Sequence, residues 1–136
     1  MPGSDPTHWL NRLTADEWLA AAQTELRHCE ETMRTRAVRP GVTHARRAAG
    51  MAWNAVLALA ADEKYGRSYM EHVVALTADA YAPDEVRVAA RTLRETPAAP
   101  PELIALGKPD LRVRDAASRI VAYAEERVAA LRAAPS

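Results

Sequence analysis

Ala48-Ala-Gly-Met-Ala-Trp-Asn-Ala-Val-Leu-Ala-Leu-Ala-Ala61 carries no charge, and Asn54 is its only distinctly polar side chain. A helix that is apolar on every side has no face for water, so in a globular domain it must be covered all round. Its 14 residues fall short of the roughly 20 that span a bilayer. The stretch therefore predicts a core helix around which the other helices pack. Gly50 inside it costs about 0.8–1 kcal/mol relative to Ala, which a close helix–helix approach at that point would explain. Trp53 is expected to be the largest anchor of the core. Asn54 reads as a buried amide bonded to backbone, or as a specificity device at a dimer seam.

On the N-terminal side, Thr14-Ala-Asp-Glu17 is a capping box: the Thr hydroxyl accepts the third helical amide and Glu17 reaches back to the Thr14 amide. Trp18, Ala22, Leu26, Cys29 and Met33 then follow at helical spacing and form one apolar stripe. Arg39-Pro40-Gly41 is expected to close this helix, and a second helix to run from about Thr43 to Asp62. On the C-terminal side, Ser68-Tyr-Met-Glu71 is a second capping box that predicts a third helix from Tyr69 to about Ala80. Pro83-Asp-Glu85 opens a fourth, with Val86, Ala89, Ala90 and Leu93 inward. Residues 96–101 read as a Pro-rich linker, with one helical turn after it from Glu102 to Leu106. Asp110 is expected to cap a last helix whose stripe is Val113, Ala117, Ile120, Ala124, Val128 and Leu131. No sustained alternation marks a strand. The fold class is all-α, a four- to five-helix bundle in one domain over residues 14–133. Residues 1–13 form a flexible lead on which Trp9 and Leu10 are placed to dock.

The 136 residues suffice for one core, and 18 basic against 18 acidic side chains give no net charge that would point to nucleic acid or membrane. The distribution is less even. No acid lies between Glu31 and Asp62, whereas Arg34, Arg36, Arg39, Arg46 and Arg47 all do. These form either one positive patch or an ordinary solvated surface in a chain whose only lysines are Lys64 and Lys108. The single cysteine, Cys29, allows no internal disulfide and sits in an apolar stripe as a small buried hydrophobe. The N-terminus has no basic and apolar succession of the kind that directs secretion, so a cytoplasmic location and no membrane partner are expected. His8, His28, His44 and His72 lack the i, i+4 pairing of ligands on one helix. No metal or other cofactor is expected on that spacing.

The one chemical constellation follows the core helix: Arg67-Ser-Tyr-Met-Glu-His72. With Ser68 as N-cap, Arg67 and His72 occupy the two positions that meet in a hydrophobic staple, so both face the same end of the third helix. That end offers backbone amides and the positive pole of the helix dipole, which favour a phosphate. A histidine there is disfavoured as imidazolium and fits a general base, while Arg67 supplies a permanent positive charge. Tyr65 or Tyr69 adds a phenol or a stacking face for a base. An Arg and a His at this spacing also arise by chance, and a His one turn into a helix commonly only packs or hydrogen-bonds.

Trp18-Leu-Ala-Ala-Ala on the first helix, the Ala-rich Ala48–Ala61 helix and the Arg67–His72 segment resemble the HEPN domains, small all-α bundles of prokaryotic toxin–antitoxin and defence systems. The last segment matches their Arg-x4-6-His motif, and the resemblance covers roughly residues 14 to 131. It implies a homodimer that brings two motifs together for metal-independent RNA cleavage, with the ribose 2′-hydroxyl attacking its own 3′-phosphate. Arg67 and His72 would be the catalytic pair, Ser68, Tyr65 and Tyr69 would line the site, and Arg46 and Arg47 would guide the RNA. Ser68 stands where active members often carry Asn, Asp or His, and many relatives are non-catalytic partners or binding modules. The resemblance thus implies either an endoribonuclease, with a possible cognate partner protein, or a non-catalytic helical dimerisation module.

Overall fold

The computed structural model describes residues 12–35, 37–97 and 111–134. Five α-helices account for most of them: α1 (Ala15–Arg34), α2 (Val38–Leu59), α3 (Tyr69–Thr77), α4 (Asp84–Glu95) and α5 (Arg112–Ala133). A 3-10 turn, Glu63–Tyr65, joins α2 to α3. No strand occurs among the described residues. The expected lead apart from Arg12 and Leu13, the Pro-rich linker from residue 98 onward, the turn at Glu102–Leu106, the Asp110 cap and Arg36 lie outside the described residues.

Helix α2 is the hub. Every residue from Ala48 to Leu57 is buried, and the helix packs on α1, α5 and α3. The stripes converge on it: Trp18, Ala22, Leu26, Cys29 and Met33 from α1, and Val113, Ala117, Ile120, Ala124 and Val128 from α5. Trp53 is the aromatic centre, its ring 5.1 Å from that of Tyr65 and stacked 5.8 Å from that of Tyr123. Cys29 is wholly enclosed, and burial pushes its thiol up to about 11, so it behaves as a hydrophobe rather than a nucleophile. No helix of the described residues is long and apolar enough to cross a membrane.

The boundaries of α2 and α3 depart from the expected ones for identifiable reasons. Pro40 and Gly41 open α2 instead of closing α1. Pro40 sits in the first turn, where no intrahelical acceptor awaits its missing N–H, and the Gly41 amide already donates to the Ala37 carbonyl at 3.0 Å. Helix α1 ends earlier, at Arg34, and the Ala37 amide donates to the Thr32 carbonyl. A side chain at position 41 would begin 2.3 Å from the Met33 sulfur, so glycine lets α2 start directly against the end of α1. Helix α3 stops at Thr77, short of Ala80. The Asp79 carboxylate there accepts the Tyr81 amide and the Tyr65 hydroxyl. Arg87 gathers the carbonyls of Asp79, Ala80 and Ala82, so the turn into α4 is pinned rather than helical.

Candidate functional site

Both capping boxes form as spaced. Thr14 and Glu17 exchange bonds at the start of α1, and Ser68 and Glu71 do so at the start of α3, at 3.0 and 3.2 Å. The α3 box is preceded by Gly66 at φ +67°, where a side chain would also collide with Glu71. Only glycine takes this left-handed backbone without strain. The reversal turns Tyr65 into the core and Arg67 out to solvent. The hydrogen bonds from Ser68 hold the exposed Glu71 carboxyl below the usual carboxylate range.

An open pocket of about 340 Å³ lies beside α1, α2 and the start of α3, lined by Arg12, Trp18, Asn54, Arg67, Ser68 and Tyr69. No acidic side chain lines it among the described residues. Arg12 and Arg67 are exposed, and neither has an ion pair among the described residues. Trp18 is 8% exposed, and its indole Nε1 is a buried donor with no hydrogen-bond partner among the described residues. Trp53 Nε1 and Arg114 Nε also lack a hydrogen-bond partner among the described residues, but neither residue lines this pocket. A buried N–H left unpaired costs about 1–3 kcal/mol, and this one belongs to a residue of the pocket wall. The Ser68–Glu71 box consumes two backbone amides, while those of Tyr69 and Met70 remain at the positive pole of α3. Cations and donors without carboxylates make this a place for a small anion.

Of the site residues expected from sequence, Arg67, Ser68 and Tyr69 come together here. His72 does not line the pocket. It is wholly buried, with Nδ1 2.6 Å from the Tyr65 carbonyl oxygen and Nε2 2.7 Å from the Asn54 side-chain oxygen. Burial pushes its imidazole below the ordinary value, against the opposing pull of the Tyr65 carbonyl and Glu71. A neutral ring has one N–H, which goes to Tyr65. Its Nε2 then needs a donor, which the Asn54 amide supplies after a half turn that exchanges its oxygen and nitrogen. His72 therefore braces Asn54, and Asn54 is the pocket's floor.

The other expected residues are committed elsewhere. Tyr65 is buried against Trp53 with its hydroxyl on Asp79, so its ring offers no face to a base. Burial, with the Asp79 bond second, pushes its phenol upward. Burial alone would raise the Asp79 carboxyl, but the bonds from Tyr65 and the Tyr81 amide outweigh it and bring it down. Arg46 reaches the Leu93 and Thr96 carbonyls at 3.0 and 2.5 Å, a cation on the negative end of α4. Arg47 Nε donates to Glu25 at 2.9 Å, and Arg34 pairs with Glu30 at 2.8 Å. Arg34, Arg46 and Arg47 thus serve separate contacts, while Arg39 is exposed. Sequence reasoning missed Arg12, and it missed that the Trp18 N–H, hidden by its place on the apolar stripe, is left without a hydrogen-bond partner among the described residues.

Comparison with known proteins yields no matching family model, no matching curated protein and no matching solved structure.

Proposed function

We propose that the chain is a HEPN-like helical module that binds RNA by seating a backbone phosphate in the Arg12–Arg67 pocket, with His72 as a positioning residue rather than a general base. The supporting observation is a pocket that carries two exposed guanidiniums without carboxylate partners among the described residues, beside the aromatic side chains of Trp18 and Tyr69. Tyr69, half-buried on the rim, supplies a ring on which a neighbouring base stacks. A general base must come within hydrogen-bond reach of the 2′-hydroxyl. His72 is enclosed with both nitrogens engaged, which favours binding over cleavage. A homodimer within a toxin–antitoxin or defence system, alongside a cognate protein, is the setting that the resemblance adds to this reading, and the N-terminal sequence adds a cytoplasmic location.

Fluorescence anisotropy of a labelled single-stranded RNA, across a series of salt concentrations, tests the proposal with wild type and Arg67→Ala. A charge-assisted phosphate contact contributes about 1.5–3 kcal/mol, so the variant should bind about 10- to 100-fold more weakly. Its salt slope should shrink by about 0.7 for the lost contact on a single strand. Equal affinity and slope in both proteins would remove the pocket from RNA binding. Cleavage of RNA by the wild type in EDTA would replace the binding reading with the nuclease one.

A further inference from the structure

A second constellation lies where α1 crosses α2, outside the anion pocket. Glu25 and His28 are one turn apart on α1, and His44 reaches them from α2. Glu25 is only 8% exposed, a carboxylate set among the apolar positions of α1. Its Oε2 lies 2.5 Å from His44 Nδ1 and 4.0 Å from His28 Nδ1. The two imidazoles meet edge to face with centroids 5.2 Å apart. One ligand atom from each of the three residues falls within 4.8 Å of the others.

We infer that Glu25, His28 and His44 form a binding site for a borderline divalent transition-metal ion such as Zn²⁺ or Co²⁺. Two imidazoles and one carboxylate are the ligand set such ions take, and three protein ligands leave one tetrahedral position for water. Ligand atoms about 2.0–2.2 Å from a tetrahedral metal stand roughly 3.3 Å from one another. The 2.5 Å contact must therefore open, and the 4.0 Å gap close, each by less than about 1 Å. The side chain that has to move furthest toward Glu25 is the one able to do so: the His28 side chain is 51% exposed, and that of His44 is 27% exposed. Solvent thus reaches the site from the imidazole side. The metal takes Nδ1 of His44, and the ring carries its proton on Nε2.

Arg47 completes the arrangement. Its Nε donates to Oε1 of Glu25 at 2.9 Å, leaving Oε2 directed at the two histidines. A hydrogen bond to the non-ligating oxygen is how an outer residue fixes a ligand's orientation. Spacing within one helix gave no sign of this site, because the third ligand arrives from a different helix.

The test is titration of the full chain, free of any affinity tag, with ZnCl2 by calorimetry and with CoCl2 by visible absorption. The expected results are one Zn²⁺ per chain, a cobalt absorption band that Zn²⁺ abolishes, and a rise in the thermal midpoint with Zn²⁺. His28→Ala, at an exposed position, should keep the apo midpoint and weaken Zn²⁺ binding at least about 10-fold. His44→Ala should weaken Zn²⁺ binding likewise, and if it fails to fold, His28→Ala decides. Absence of saturable Zn²⁺ and Co²⁺ binding by the wild type overturns the proposal. So does unchanged affinity in His28→Ala. The RNA-binding reading stands or falls separately, on Arg67.

Discussion

Replacing His72 by alanine removes a fully buried ring whose bonds to the Tyr65 carbonyl and the Asn54 side chain are 2.6 and 2.7 Å long. Both partners are themselves buried, Tyr65 at 3% and Asn54 at 1% exposure, so water does not readily replace the ring. Each polar group left unpaired costs about 1–3 kcal/mol, and the void adds lost packing. The loss should be about 3–5 kcal/mol, a large share of the roughly 5–15 kcal/mol that holds a domain together. An exposed general base replaced by alanine would change stability by no more than about 0.5 kcal/mol. Urea unfolding followed by tryptophan fluorescence measures the difference, with Asn54→Ala and the double variant completing a cycle. His72 and Asn54 should be coupled by at least about 1 kcal/mol. A loss under about 1 kcal/mol in His72→Ala would refute the bracing role and return the histidine to the list of catalytic candidates. The same calculation makes His72→Ala a poor activity control, because lost function would report lost structure.

Two further outcomes follow from this region. Gly50→Ala gains about 1 kcal/mol of helix propensity, but its methyl would begin 2.2 Å from Tyr69 Cβ, a position tied to backbone. Because a carbon contact needs about 3.5 Å, α3 must retreat and overpacking of about 1–3 kcal/mol should win. The variant should unfold at lower urea and bind RNA less tightly; net stabilisation would show that α3 is not pinned there. The second outcome concerns pH. Burial depresses the folded-state value of His72 below 6.5, so the unfolded chain takes up that proton first. The contribution is complete above about pH 6.5 and shrinks as pH falls, with a slope up to about 1.4 kcal/mol per pH unit. Glu71 and Asp79, whose folded values are also lowered, act in the same direction at more acidic pH. Stability measured from about pH 7.5 to 5 should therefore fall less steeply in His72→Gln than in the wild type. Parallel curves would show that the ring is not held neutral.

The bundle was legible because its signals are local. The Thr14 and Ser68 boxes, the stripes of α1 and α5 and the uncharged run of α2 each declare themselves within a few turns of chain. Pro40-Gly41 misled because a proline is as compatible with a first helical turn as with a stop, and only the proximity of Met33 shows which applies. The site was half legible. Arg67, Ser68 and Tyr69 are contiguous and so travel together. His72 lies only five positions beyond Arg67, yet it turns inward because Asn54, on another helix, meets it there. Trp18 and Arg12 from the α1 side, and the Glu25–His28–His44 group, are likewise products of how α1 crosses α2.

The uncharged helix does more than fill the core. Gly50, Trp53 and Asn54 lie at i, i+3 and i+4, on one face of α2. Each meets a different residue of the segment that follows the helix: Gly50 admits Tyr69, Trp53 packs on Tyr65, and Asn54 bonds His72. The three contacts differ in kind, being a vacancy, an aromatic face and an amide, so the segment can dock in one register only. With positions 65 and 72 buried and position 69 seated on Gly50, the left-handed turn at Gly66 leaves Arg67 to project outward. The run that reads as featureless hydrophobicity is therefore the template that orients the pocket. Its lone glycine and lone amide are the positions where an alanine should damage the site most while leaving the helix itself intact.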